Sequence, residues 1–445
     1  MVSAGVAGGA RAVARCDALG APPYSDTREG LFRAYLTPAH VETVKAIGAW
    51  MVEAGMTVRL DPAANLIGRY EGAEPGARAL MFGSHIDSVR DAGRYDGPLG
   101  VMLGIEVAAA LHAQERRLSF AIEVIAFGDE EGSRFPASML CSRAVAGTLP
   151  ADALGATDRE GIEVADALPL FLRHAGPVLA STPQPAAADA MAGWTPEQVW
   201  GDGGFLSARR DPSEILAFIE PHIEQGPVLE AEGLAVGTVT GIAAQLRFQA
   251  VIEGVAGHAG TNAMNLRRDA LTASAEMILA IEHEARSAGG DIVATVGRMT
   301  VLPGAVNVVP GRVEFSIDIR AGDPARRDCV ARDILDTIAE IADRREVVYA
   351  IERVQDLPAS PCDPRLMALM DQAIAAYGQP PRRLVSGAGH DTMVMATLCP
   401  TAMLFIRCAG GISHNPAESV TEGDAETALA VLRAFVDRFE EDFLG

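Results

Sequence analysis

The chain has no C-x-x-C pair. Its six cysteines (Cys16, Cys141, Cys329, Cys362, Cys399 and Cys408) are scattered along 445 residues. That excludes a disulfide framework and a structural zinc knuckle, and it fits a reducing compartment. No apolar run reaches the roughly 18 residues that a spanning helix needs. The opening "MVSAGVAGGARAVARCDALGA" lacks the basic start and continuous apolar stretch of a signal peptide. These absences predict a soluble, cytoplasmic protein. Excess positive charge is missing too. The formal net charge is −22, so the chain repels nucleic acid and anionic membranes and is not a basic-groove binder. A small anionic substrate is not excluded, because local arginines can dominate a pocket. There is no internal repeat and no low-complexity tract.

What is present is an ordinary globular balance, 49% hydrophobic and 22% charged. At 445 residues the chain is too long for one core, so two or three domains are expected. Residues 38–55 have helical periodicity ending at Gly55. The β-rich runs "MTVRL", "NLIGRY" and "RALMFGSHID" follow, then a helix in "GPLGVMLGIEVAAALHAQ" and a buried strand in "SFAIEVIAF". Strand, helix, strand in this order predicts an α/β domain with a mostly parallel central sheet flanked by helices. Residues 150–212 are rich in Ala, Pro and Gly, and "ASTPQPAAADAMAG" reads as an exposed loop. A strand returns at "EILAFIEPHIEQGP". Residues 241–353 show the order βαββαβ, with "DIVATVGRMTV" and "GRVEFSIDIR" as its two middle strands, that of a ferredoxin-like domain. The expected organisation is therefore a catalytic domain, 1–240 and 354–445, interrupted by an insertion at 241–353.

In an open parallel sheet the chemistry sits past the carboxyl ends of strands. "FGSHIDSVRDAGRYDG" and "GDEEGS" both lie there. They offer His85, Asp87 and Asp96, then Glu130 and Glu131. Further candidates are His222, Glu224 and Gln225 in "HIEQGP", His258 in "GHAGT", and His390, Asp391 and His414 in "GHD" and "GISHNP". Two divalent cations need a bridging carboxylate and a mixture of imidazoles and carboxylates. His85, Asp96, Glu131, His222 and His414 supply such a set, with Glu130 spare as a general base. Each piece alone has an ordinary explanation. A single His is more often a surface or core residue, "DEE" a solvated acidic turn, Asp before Gly a turn pair, and His390–Asp391 a helix cap. All of them together, each past a strand end, are harder to explain that way.

The runs "GSHIDSVRDAGRYDGPLGV", "FGDEEGSRF", "HIEQGP", "GHAGT", "PGAVNVVPG", "SIDIR", "SGAGHD" and "GGISHNPAES" resemble the metal-dependent amidohydrolases of the M20 superfamily. The resemblance is strongest to the branch of allantoate amidohydrolase, N-carbamoyl-L-amino-acid hydrolase and β-ureidopropionase, and covers nearly the whole chain. It implies that His85 and His222 each bind one cation, that Asp96 bridges, and that Glu131 and His414 complete the two sites. Asp87 would orient His85, and Glu130 would be the base. Gln225, His258, Asn307, Arg320 and Gly389 would hold substrate, with His258 polarising the ureido carbonyl and Arg320 gripping a carboxylate. Two divalent ions per subunit are implied, Mn²⁺ favoured, with Zn²⁺, Co²⁺ and Ni²⁺ as alternatives. The implied reaction is hydrolysis of the carbamoyl group of a small ureido acid, allantoate first, with N-carbamoyl-L-amino acids or β-ureidopropionate as the alternative. The inserted domain is implied to act as a lid and to form a homodimer. The segment from about Leu149 to Pro212 is longer than this branch leads one to expect.

Overall fold

The structure is a computed structural model, and it describes residues 8–150, 153, 155–175 and 204–443. The loop expected at "ASTPQPAAADAMAG" lies outside the described residues. The chain divides into two compact units. The first is Met1–Thr240 with Cys362–Leu384 and His390–Gly445; the second is Gly241–Pro361 with Val385–Gly389.

The first unit is built on a sheet whose centre is parallel. Strands β1 (Thr57–Leu60), β2 (Leu66–Tyr70), β3 (Ala79–His85), β4 (Ala121–Phe127) and β5 (Ile215–Ile223) stand in the spatial order β1-β2-β4-β3-β5, followed by Thr401–Ile406. The pairs β3–β4, β3–β5 and β5 with Thr401–Ile406 are parallel. β1–β2 and β2–β4 are antiparallel and close one edge. Every residue of β3, β4 and β5 is buried, as expected for strands covered on both faces. The helix Pro98–Ala113 packs on β3 and β5 and is apolar nearly all round. Its one internal acid, Glu106, is buried and neutralised by Arg11 and Arg15. No helix among the described residues is long and apolar enough to cross a membrane.

The second unit is a helix-backed antiparallel sheet. Taking its strands in chain order as Ala244–Glu253, the split strand Val293–Thr295 and Met299–Leu302, Arg312–Ala321 and Val348–Leu357, the spatial order is 4-1-3-2. Arg312–Ala321 alternates between buried and half-buried residues, and the helices Ala270–Ala288 and Pro324–Arg344 cover one face. Two expectations are corrected here. The run "DIVATVGRMTV" is not one strand. Thr295 pairs with Asp318 and Met299 with Phe315, so four steps face three, and an extra residue bulges out around Gly297. The insertion also does not end at 353. Its last strand runs on to Leu357, and the first unit resumes at Cys362. The short segment Val385–Gly389 belongs with the second unit as well: Ala243 N–H donates to Ser386 O at 2.8 Å.

Candidate metal centre

The carboxyl ends of β3, β4 and β5 bring four of the sequence candidates together. His85 is the last residue of β3, Glu130 and Glu131 follow β4, and His222 lies one residue from the end of β5. Asp96 enters from the loop after β3. Its backbone N–H donates to Glu418 at 3.1 Å, as does that of Tyr95 at 2.8 Å. Gly97 next to it has φ +83°, and a Cβ there would lie 2.5 Å from the His85 carbonyl oxygen and 2.6 Å from its ring. Only glycine fits that approach.

Asp96 is the hub. Its Oδ1 lies 3.1 Å from His222 Nε2 and 3.7 Å from His85 Nε2. Its Oδ2 lies 3.2 Å from His414 Nε2, and accepts from Gln225 Nε2 at 2.9 Å and Ser413 Oγ at 2.8 Å. His414 Nε2 is also 3.3 Å from Glu131 Oε1. The ligand atoms fall into three overlapping sets: His85, Asp96 and His222; Asp96, Glu131 and His414; and His85, Glu130 and Glu131. His85 and His222 thus approach the same oxygen of Asp96, and His85 also falls in the set with Glu130 and Glu131.

The imidazoles are held in defined tautomers. His222 Nδ1 is 2.9 Å from Ile223 O, which leaves Nε2 buried and facing Asp96. His85 Nδ1 faces the Asp87 backbone oxygen at 3.1 Å and its carboxylate at 3.4 Å. Asp87 also accepts from the backbone N–H groups of Glu130 at 3.0 Å and Glu131 at 3.2 Å. One carboxylate therefore fixes both the His85 ring and the acidic turn, as a group beneath a metal ligand does. Gln225 (φ 55°) and His414 (φ 54°) adopt the left-handed region, a strain that collects at functional sites.

The electrostatics call for positive charge. Asp87, Asp96 and Glu130 are buried, and no Arg or Lys forms an ion pair with them or with Glu131 among the described residues. Burial opposes the Asp96 charge, but hydrogen bonds from His222, His414 and His85 outweigh it and hold the carboxyl well below its ordinary range. Asp96 and Glu131 in turn raise His414 to about 10. Burial pushes the Glu130 carboxyl up; His85 opposes, and the Glu131, Asp391 and Asp87 charges add to the rise. Imidazole nitrogens and carboxylate oxygens at these separations suit divalent transition metals, and ligand type alone does not choose between Mn²⁺ and Zn²⁺.

Two contributors were not singled out from the sequence. Ser413 and Glu418 both hold Asp96, and the motif "GGISHNPAES" contained them, but an alcohol and an acid flanking a histidine carry no signal of their own. His390 packs edge-on against His222 with ring centroids 4.4 Å apart. Neither it nor Asp391 caps its helix by a side-chain hydrogen bond, which corrects the capping reading. Glu224 accepts from Val228 N–H and Leu229 N–H and starts the next helix.

The remaining substrate candidates belong to the second unit. His258 and Asn307 meet on a two-stranded ribbon, where Val308 pairs with His258 and Ala259 N–H donates to Asn307 O at 2.9 Å. The Arg320 guanidinium already holds a fork with Asp318, at 2.7 and 3.1 Å, and touches Gly387 O. Gly389 closes the Val385–Gly389 segment.

Residues 81–438 match the peptidase family M20/M25/M40. The chain is 40% identical over 403 residues to N-carbamoyl-L-amino acid amidohydrolase of Geobacillus stearothermophilus, across 91% of this chain and 92% of that protein. It is 37% identical over 450 residues to allantoate deiminase of Arabidopsis thaliana, across 95% and 81%. A crystal structure of a hydantoinase/carbamoylase family amidase from Burkholderia ambifaria superposes with a TM-score of 0.82 at 34% identity, over 97% of each chain.

Proposed function

The chain belongs to the M20/M25/M40 peptidase family, and from that premise we propose that it is an amidohydrolase that cleaves the carbamoyl group of a small ureido acid. Allantoate is the first substrate and N-carbamoyl-L-amino acids or β-ureidopropionate the second. Support comes from the relatives, which carry both activities in their names. The observation that carries the reading is the Asp96 carboxylate, shared between the His85–His222 set and the Glu131–His414 set with Glu130 alongside.

In this reading His85, Asp96 and His222 hold one divalent cation, and Asp96, Glu131 and His414 the other, Mn²⁺ being favoured. When bound, the pair supplies Lewis acidity to water and to the ureido carbonyl. Glu130 takes the proton of the attacking water and returns it to the leaving nitrogen. Asp87 fixes Glu130 through the backbone of the turn. His258 donates to the carbonyl oxygen as charge develops, a kind of contact worth about 3 kcal/mol. Arg320 releases Asp318 to grip the substrate carboxylate through its rigid fork, while Gln225, Asn307 and Gly389 complete the pocket. Carbamate leaves and breaks down to ammonia and carbon dioxide. The second unit is proposed to serve as lid and as homodimer contact, and the protein to work in the cytoplasm.

The test is ammonia release from allantoate, N-carbamoyl amino acids and N-acyl amino acids, each with added Mn²⁺. Turnover of ureido acids is expected. Turnover confined to N-acyl amino acids, or none with metal bound, would sink the reading.

A further inference from the structure

A second cleft lies at the opposite ends of the same strands. It encloses about 560 Å³ and is lined by Arg59 on β1, Arg69 on β2, Arg78 just before β3, and Arg209 and Arg210 before β5. β3 begins at Ala79 and reaches His85 at the candidate metal centre. Its seven residues place the two sites about 20 Å apart, at roughly 3.3 Å per residue.

Five guanidiniums around one cleft are unusual in a chain of net charge −22 with a single lysine, Lys45. Two are neutralised from within. Glu123 on β4 is buried between Arg69 at 2.9 Å and Arg210 at 2.9 Å, and Arg69 and Arg210 also hold Glu71 and Glu214. The other nearby acid, Asp61, spends its oxygens on the backbone N–H groups of Ala63 and Asn65 and on the Asn65 amide. Arg59, Arg78 and Arg209 form no ion pair among the described residues. Among the described residues Arg78 donates to Ile215 O, at 3.1 Å. The Arg209 stem lies over Gly147, where a Cβ would come within 2.8 Å of it. Three guanidiniums with unspent donors thus line one concavity, where five arginines outnumber the three acids Asp61, Glu123 and Glu214. Such a cleft focuses positive potential, and the planar fork suits a tetrahedral oxyanion.

We infer that this cleft binds a small anion carrying a phosphate group, held by Arg59, Arg78 and Arg209 and remote from the candidate metal centre. The inference does not depend on the proposed reaction.

The full-length protein is titrated calorimetrically at low ionic strength with inorganic phosphate and, in a parallel arm, with a nucleoside monophosphate. Acetate is the control. The first arm tests free phosphate and the second a phosphoryl group on an organic carrier. Binding is expected in at least one arm, with acetate at least about tenfold weaker. The variant R59Q/R78Q/R209Q should weaken that binding by at least about tenfold, with the single variants R59Q and R209Q each giving part of the loss. None of the three forms an ion pair among the described residues, and only Arg59 acts on a buried acid, Asp61, so R78Q/R209Q should unfold in urea no earlier than the parent in phosphate-free buffer and serves as the folded control. Phosphate binding that survives the triple substitution, as occupancy of the metal centre would, overturns the assignment. So does a parent protein that binds neither probe.

Discussion

The two ends of the parallel sheet treat buried acids in opposite ways. At the amino ends, Glu123 is gripped by Arg69 and Arg210, as Glu106, on the helix packed over β3 and β5, is by Arg11 and Arg15. At the carboxyl ends, Asp87, Asp96 and Glu130 are met by imidazoles, by backbone N–H groups and, at Asp96, by Gln225 Nε2 and Ser413 Oγ, and they form no ion pair with Arg or Lys among the described residues. A buried carboxylate without a countercharge is costly. Where the chain supplies its own guanidinium the arrangement is complete. Where it supplies only neutral-capable nitrogens, the positive charge has to come from outside.

The sharpest way to break this contrast is to remove the hub. Asp96→Ala takes a ligand from both proposed cation sites, and turnover of a ureido acid should fall at least about 10⁴-fold. Elemental analysis of the purified variant should show fewer than two metal ions per chain; two retained ions would refute the hub. Next in size, Glu130→Gln should cost about 10³-fold in kcat while elemental analysis still finds the full metal content. Normal turnover would show that the base is misassigned. At the other end of the sheet, Arg210→Ala strips Glu123 of one of its two partners. Urea unfolding should show a loss of about 2 to 3 kcal/mol with metal content untouched, separating a structural arginine from a site residue.

The smallest effect comes from a third kind of buried polar group. His40 is fully buried, accepts from Leu36 N–H at 3.0 Å, and burial lowers it to about 3. Its folded value lies below its unfolded value of about 6.5. Its contribution to stability is therefore complete above about pH 6.5 and is lost as pH falls towards 3, at up to about 1.4 kcal/mol per pH unit. His40→Asn should unfold in urea with a shallower dependence between pH 7 and pH 5. An unchanged slope would mean that His40 is protonated in the folded protein.

The sequence made much of this visible because the fold obeys period. The continuous apolar runs of β3 and β4 could only be strands covered on both faces, and acidic loops past their ends marked the site. His85, Asp96, Glu131, His222 and His414 stand out as residue types with few other reasons to recur at strand ends. Ser413 and Glu418 were harder to see, because a supporting contact depends on direction and not on residue type. The bulge around Gly297 was invisible for a similar reason: an extra residue shows only when two strands are laid side by side. The cleft of Arg59, Arg78 and Arg209 was also hidden, since its members are spread over 150 positions and share no motif.

Residue 97 acts through what it does not carry. Its bare α-carbon lets the loop after β3 fold back onto His85, and that fold sets the distance from imidazole to carboxylate. A single methyl group there, neither charged nor polar, would act as a wedge between them. Ångström-scale spacing in the most charged part of the molecule is thus governed by an absent hydrocarbon atom.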